Sequence, residues 1–167
     1  MGLLSPGHMP RGVVALLNNL SSMSDAEYVG DTETVIYTLP FIAAPNRIYK
    51  VHFQVYSVDT DQAGDNTNSS IRYAKSSAAI RCRWASGPTV TTSSTTLGAH
   101  RVTVFDDDSS TSSGADITFY LLNPPRGETT VGITLATARA AATYGKVRFL
   151  TAAGNHLSVE DVGPFSE

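Results

Sequence analysis

The sequence predicts an all-β fold, an antiparallel β-sandwich or barrel of about 8–10 short strands. Three observations carry that prediction. Apolar and polar residues alternate with period 2 along most of the patterned segments. Those segments are short and recur every 8–15 residues or so, joined by Gly-, Pro-, Asp- and Ser-rich turns. Helix signals are scarce: only 13–20 (VVALLNNL) and the Ala-rich 136–143 fit a helix, and both also read as strand.

The elements follow in order. Residues 33–39 (ETVIYTL) have the β-branched and aromatic content of a strand. Residues 48–58 (IYKVHFQVYSV) alternate most clearly, with Tyr49, Val51, Phe53, Val55 and Ser57 on the more apolar face, which should point to the core. Further strands are expected at 70–75, 79–84, 101–105, 116–122, 130–138, 146–151 and 156–162, with 136–143 read as strand running into a loop. Polar or low-complexity loops separate them: 59–68 (DTDQAGDNTN), 87–98 (GPTVTTSSTTLG), 106–114 (DDDSSTSSG) and a two-proline turn at 123–127 (NPPRG).

The chain has 167 residues, enough for one domain with a real core and too few for two comfortable ones. We divide it into an extended arm at 1–11, one sandwich domain at 12–164 and a tail at 165–167. Hydrophobic residues make up 41% and charged residues only 16%, so disorder is excluded. Ser and Thr number 37 together and supply the missing polarity. Thr suits a pleated, half-wet strand face, and Ser/Thr loops satisfy their own backbone without charge. The net charge of −3 argues against a nucleic-acid partner. Cys82 is the lone cysteine, which leaves no intrachain disulfide and no cysteine-built zinc site. No window approaches the ~20 apolar residues of a membrane span. The start, MGLLSPGHMPR, lacks the features of a secretory signal, so manufacture and use without export through a signal peptide are expected.

Several constellations bear on chemistry. The run Asp59, Asp61, Gly64, Asp65 resembles a calcium loop but places Ala63 and Ser70 where ligands belong, which favours a solvated loop. Asp106, Asp107 and Asp108 are adjacent, so on a strand end they point to alternate faces and read as a solvated turn. His8, His52, His100 and His156 are scattered, and a metal or catalytic role needs a spatial partner. Arg81 and Arg83 share one strand face and Cys82 and Trp84 the other. The Arg pair reads as solvated, or as reaching a carboxylate across a subunit boundary or an anionic glycan. The sequons at Asn19 and Asn68 read as accidental without an export signal. No catalytic residue, metal site or cofactor is expected.

The end of the chain, Leu157-Ser158-Val159-Glu160-Asp161-Val162-Gly163-Pro164, is the most specific stretch. It resembles the closing L-x-V-E-D-[IV]-G-P of small tail-associated virion proteins of phages that infect actinobacteria. Arg11-Gly12-Val13-Val14-Ala15 resembles that family's opening strand. Phe41, Ala43, Arg47, Tyr49 and Val51 resemble its F-x-A-x-x-x-R-x-Y-x-V segment, with Pro45 and Asn46 at the turn. The resemblance implies a minor tail protein of jelly-roll type that forms trimers or other symmetric oligomers and performs no catalysis.

The closing motif also has a physical reading. Leu157, Val159 and Val162 can pack inward from a last strand, Glu160-Asp161 starts a turn, and Gly163-Pro164 stops the ladder. The alternative is docking on another virion protein, with Val159, Glu160, Asp161, Gly163, Pro164, Arg81 and Arg83 as assembly candidates. Two further readings stand beside the minor tail protein. One is a head decoration protein; the other is a carbohydrate-binding module for a host surface glycan, with Trp84, Tyr120 and Tyr144 as contacts.

Overall fold

The structure is a computed structural model that describes residues 11–18, 27–60, 75–105, 113–139, 145–150 and 154–165. Residues 1–10, both sequon asparagines, the Asp61–Asp65 part of the calcium-like loop, most of the strand expected at 70–75, the Asp106–Asp108 run and Tyr144 lie outside the described residues.

Nine strands form two sheets: β1 (Gly12–Leu17), β2 (Thr34–Ala43), β3 (Arg47–Thr60), β4 (Lys75–Ser86), β5 (Thr95–Phe105), β6 (Ser113–Leu122), β7 (Gly127–Arg139), β8 (Val147–Leu150) and β9 (His156–Pro164). One sheet has the order β1-β9-β3-β6, with β8 extending it beside the end of β3. The other has the order β2-β7-β4-β5. All the ladders are antiparallel. Set β8 aside and the remaining eight strands pair from the outside inward: β1 with β9, β2 with β7, β3 with β6, β4 with β5. A ribbon of four such pairs, rolled so that β9 meets β3 and β7 meets β4, is a jelly roll.

Alternation decides which side of each strand is buried. On β3, Tyr49, Val51, Phe53, Val55 and Ser57 are all buried, as the period-2 pattern predicts. Beyond a register shift between Val55 and Val58 the alternation breaks, and Val58, Asp59 and Thr60 are buried in succession where β8 joins. Tyr37, Phe53 and Phe149 meet with centroids 5.4–6.1 Å apart and join the two sheets. Each such aromatic contributes roughly 1.5–3 kcal/mol by leaving water.

Four differences from the sequence reading have physical causes. The helix-like segment after Val13 is strand β1, because pairing with β9 supplies hydrogen bonds that a short isolated helix lacks. The Ser/Thr-rich 87–98 segment is loop only at its start: β5 begins at Thr95, where Thr suits a pleated surface. Glu160 and Asp161 do not start a turn but lie within β9. Gly163 and Pro164 do end the ladder, but from inside β9, which runs past the expected 162 and pairs them with Ile48 and Arg47. A bulge at Val162 allows this, with Gly163 at φ 136°, and it turns Val162 partly outward while Asp161 points in.

The two sheets differ on their outer faces. The outer side of β7 is covered by the chain itself. Thr130 Oγ1 donates to the Gly87 carbonyl at 2.7 Å, and Thr134 Oγ1 donates to Glu33. Val90 lies so close over Gly132 that a Cβ there would sit 2.9 Å from its Cγ1. The outer face of the five-stranded sheet carries no such cover among the described residues.

Candidate functional site

Three charged clusters organise the surface and one end of the sandwich. The first joins the three segments that carried the family resemblance. Asp161 is fully buried on β9. It accepts from Arg47 Nη2 at 2.5 Å and Nε at 2.9 Å, and from Arg11 Nε at 2.6 Å. Its Oδ1 also accepts from the Gly163 N–H at 3.2 Å, which holds the bulge. Arg11 Nη2 donates to the Tyr49 hydroxyl, which also accepts from the Ala44 N–H at 2.7 Å. The Tyr49 ring packs against Phe41 at 4.9 Å. Burial pushes the Asp161 carboxyl up, but the hydrogen bonds from Arg47 and Arg11 outweigh it and hold it below the ordinary carboxylate range. This is a lock on the first strand, the β2–β3 turn and the last strand.

The second cluster is Glu33, which accepts from Arg83 at 2.6 and 2.8 Å and from Arg81 at 3.1 Å. The Arg83 guanidinium beside it holds its carboxyl below the usual range. Arg81 and Arg83 thus do meet a carboxylate, but one from their own chain. Cys82, on the opposite face, is fully buried, and burial pushes its thiol up to about 12.

The third cluster lies on the outer face of the five-stranded sheet. His52 Nε2 is 2.8 Å from Asp116, and His52 Nδ1 is 3.1 Å from His156 Nε2. Beside it Lys50 pairs with Glu160. Around these polar groups stand exposed apolar side chains: Val13 (60% exposed), Leu16 (52%), Tyr120 (55%) and Leu122 (55%). Tyr56 is exposed there too.

The sequence-predicted site residues therefore scatter. Val159, Asp161 and Gly163 are buried in the fold, Glu160 is half-buried and paired with Lys50, and Pro164 is exposed at the end of β9. Trp84 packs partly buried against the core, while Tyr120 faces outward from the other sheet, so the two share no groove. Sequence reasoning missed Glu33, Arg47 as an ion-pair partner, and the His52–His156 contact. The one available signal was that His52 and Lys50 share the polar face of an alternating strand.

No curated protein matches the chain. The family described as Domain of unknown function (DUF7298) matches residues 1–167, and the chain belongs to that family.

Proposed function

We propose that this protein is a structural component of a tailed-phage virion, a minor tail protein that acts by assembling with copies of itself and docking among other virion proteins. The observation that carries this reading is the asymmetry of the sandwich. Glu33, Gly87 and Val90 cover the outer side of β7, and on that sheet Ile42 of edge strand β2 stands exposed alone among the described large apolar side chains, whereas the five-stranded sheet presents Val13, Leu16, Tyr120 and Leu122 to water. A sheet face that exposes several large apolar side chains is stabilised when a partner removes them from water. A second copy of the chain is the partner we assign, in a symmetric oligomer of which the trimer is favoured. The resemblance of the Arg11, Phe41–Val51 and Leu157–Pro164 segments to phage tail proteins supports the same reading, and those segments meet in one lock.

The test is the solution mass of the full chain by light scattering, for the wild type and for Leu16→Glu and Leu122→Glu. The reading expects an oligomer in the wild type and dissociation in both variants, with the far-UV spectrum unchanged. A wild-type monomer at high concentration would contradict assembly through this face.

A further inference from the structure

We propose that His52 and His156 together form a binding site for a first-row divalent cation that favours imidazole, such as Zn2+, on the outer face of the five-stranded sheet. The argument begins with hydrogen-bond bookkeeping. Asp116 Oδ1 lies 2.8 Å from His52 Nε2, and a carboxylate only accepts, so His52 Nε2 carries the proton. The Gly154 carbonyl lies 2.9 Å from His156 Nδ1, and it too only accepts, so His156 Nδ1 carries the proton. The two remaining nitrogens, His52 Nδ1 and His156 Nε2, then turn lone pairs toward each other at 3.1 Å. Two neutral rings repel in that arrangement, and either a proton or a metal cation between them removes the conflict; the ring geometry distinguishes the two.

The ring geometry fits a metal vertex. Metal–nitrogen bonds of about 2.0–2.1 Å spanning this gap meet at roughly 100°, between the octahedral and tetrahedral values. With each ring centre about 1.1–1.2 Å behind its nitrogen, that vertex puts the centroids roughly 4.8 Å apart, whereas a straight N–H···N bond puts them near 5.4 Å. The centroids are 4.8 Å apart. Each ring already has the outer partner that metal-bound histidines use, a carboxylate for His52 and a backbone carbonyl for His156. The sheet fixes the pair: His52 lies opposite Ser158, and His156 lies opposite Gln54 on the same outward face. In the single chain, before a second copy covers this face, the His52 side chain is 24% exposed, so an ion can enter from solvent. Among the described residues no group of three or more His, Cys, Asp or Glu surrounds one point, so water completes the coordination. Imidazole with water selects zinc, copper, nickel or cobalt over calcium and magnesium.

Calorimetric titration of the metal-free full chain with zinc chloride at pH 7.5 tests the site. One ion per chain is expected. His52→Gln and His156→Gln should each weaken uptake at least tenfold. Asp116→Ala should weaken it by about tenfold or more, through loss of the outer partner. His100→Ala, exposed on the other sheet, should leave it unchanged. Imidazole nitrogen resonances place the ion independently of the variants: zinc should shift His52 Nδ1 and His156 Nε2. Failure of the wild type to take up zinc at millimolar concentration, or uptake that survives either histidine substitution unchanged, would overturn the proposal.

Discussion

Asp161 on the last strand is held by Arg47 at the start of β3, 114 positions earlier, through three contacts of 2.5–3.0 Å. A charge buried this deeply persists only while its partners satisfy it. Arg47→Ala should therefore cost about 3–5 kcal/mol, the cost of leaving a buried carboxylate unpaired. Arg11, whose side chain is about half exposed, should cost about 1 kcal/mol or less when changed to Ala. Urea unfolding of the two variants measures the difference. Equal losses would show that Arg47 does not carry the lock.

The same carboxylate sets an acid limit. Its folded pKa lies below the unfolded value of about 4, so its stabilisation is complete above that pH and is lost as pH falls through the folded value. Glu33 acts in the same direction through Arg83. Thermal melts of the wild type should therefore be flat above about pH 5 and should fall steeply below pH 4. Asp161→Asn should be less stable at neutral pH, and its melting temperature should fall less on acidification. A variant with the wild-type acid slope would contradict this.

Cys82 is sealed between the sheets, and its thiol is pushed up to about 12 by burial. At pH 8 almost no thiolate forms, and no reagent reaches the sulfur. Ellman's reagent should leave the native protein unlabelled for hours and should modify it stoichiometrically in urea. Rapid native labelling would mean that the sandwich opens locally at β4.

Thr129 faces inward on β7, fully buried, and its hydroxyl has no hydrogen-bond partner among the described residues. An unsatisfied buried hydroxyl costs roughly 1–3 kcal/mol. Thr129→Val keeps the β-branch and removes that cost. The melting temperature should rise by about 2–4 °C per kcal/mol gained. A fall would mean that the hydroxyl finds a partner, such as an ordered water.

Much of the fold was legible because its signal is local. The inward set on β3 and the Cys82 side of β4 follow from alternation alone. What alternation hides is an inward charge. Asp161 follows Leu157 and Val159 in the inward register, yet a carboxylate at that position reads as a solvent residue until two arginines far away in sequence are brought to it. The rotation of Val162 out of that register depends on a bulge, which no pattern of side chains announces. Glu33 sits at the border of a turn, and its arginines come from a strand 48 and 50 positions on. The histidine pair spans 104 positions and depends on the β3–β9 register, which strand pattern does not specify. Here the scattered ion-pair residues are the fold's own fastenings.

The proposed virion role is tested most directly by the protein composition and imaged density of purified particles of a phage whose genome carries this sequence. The chain is expected in intact, nuclease-treated and gradient-purified virions, in a fixed number of copies and with density at the tail that the jelly-roll sandwich fits. Particles that lack the chain, while infected lysates contain it, would contradict the account.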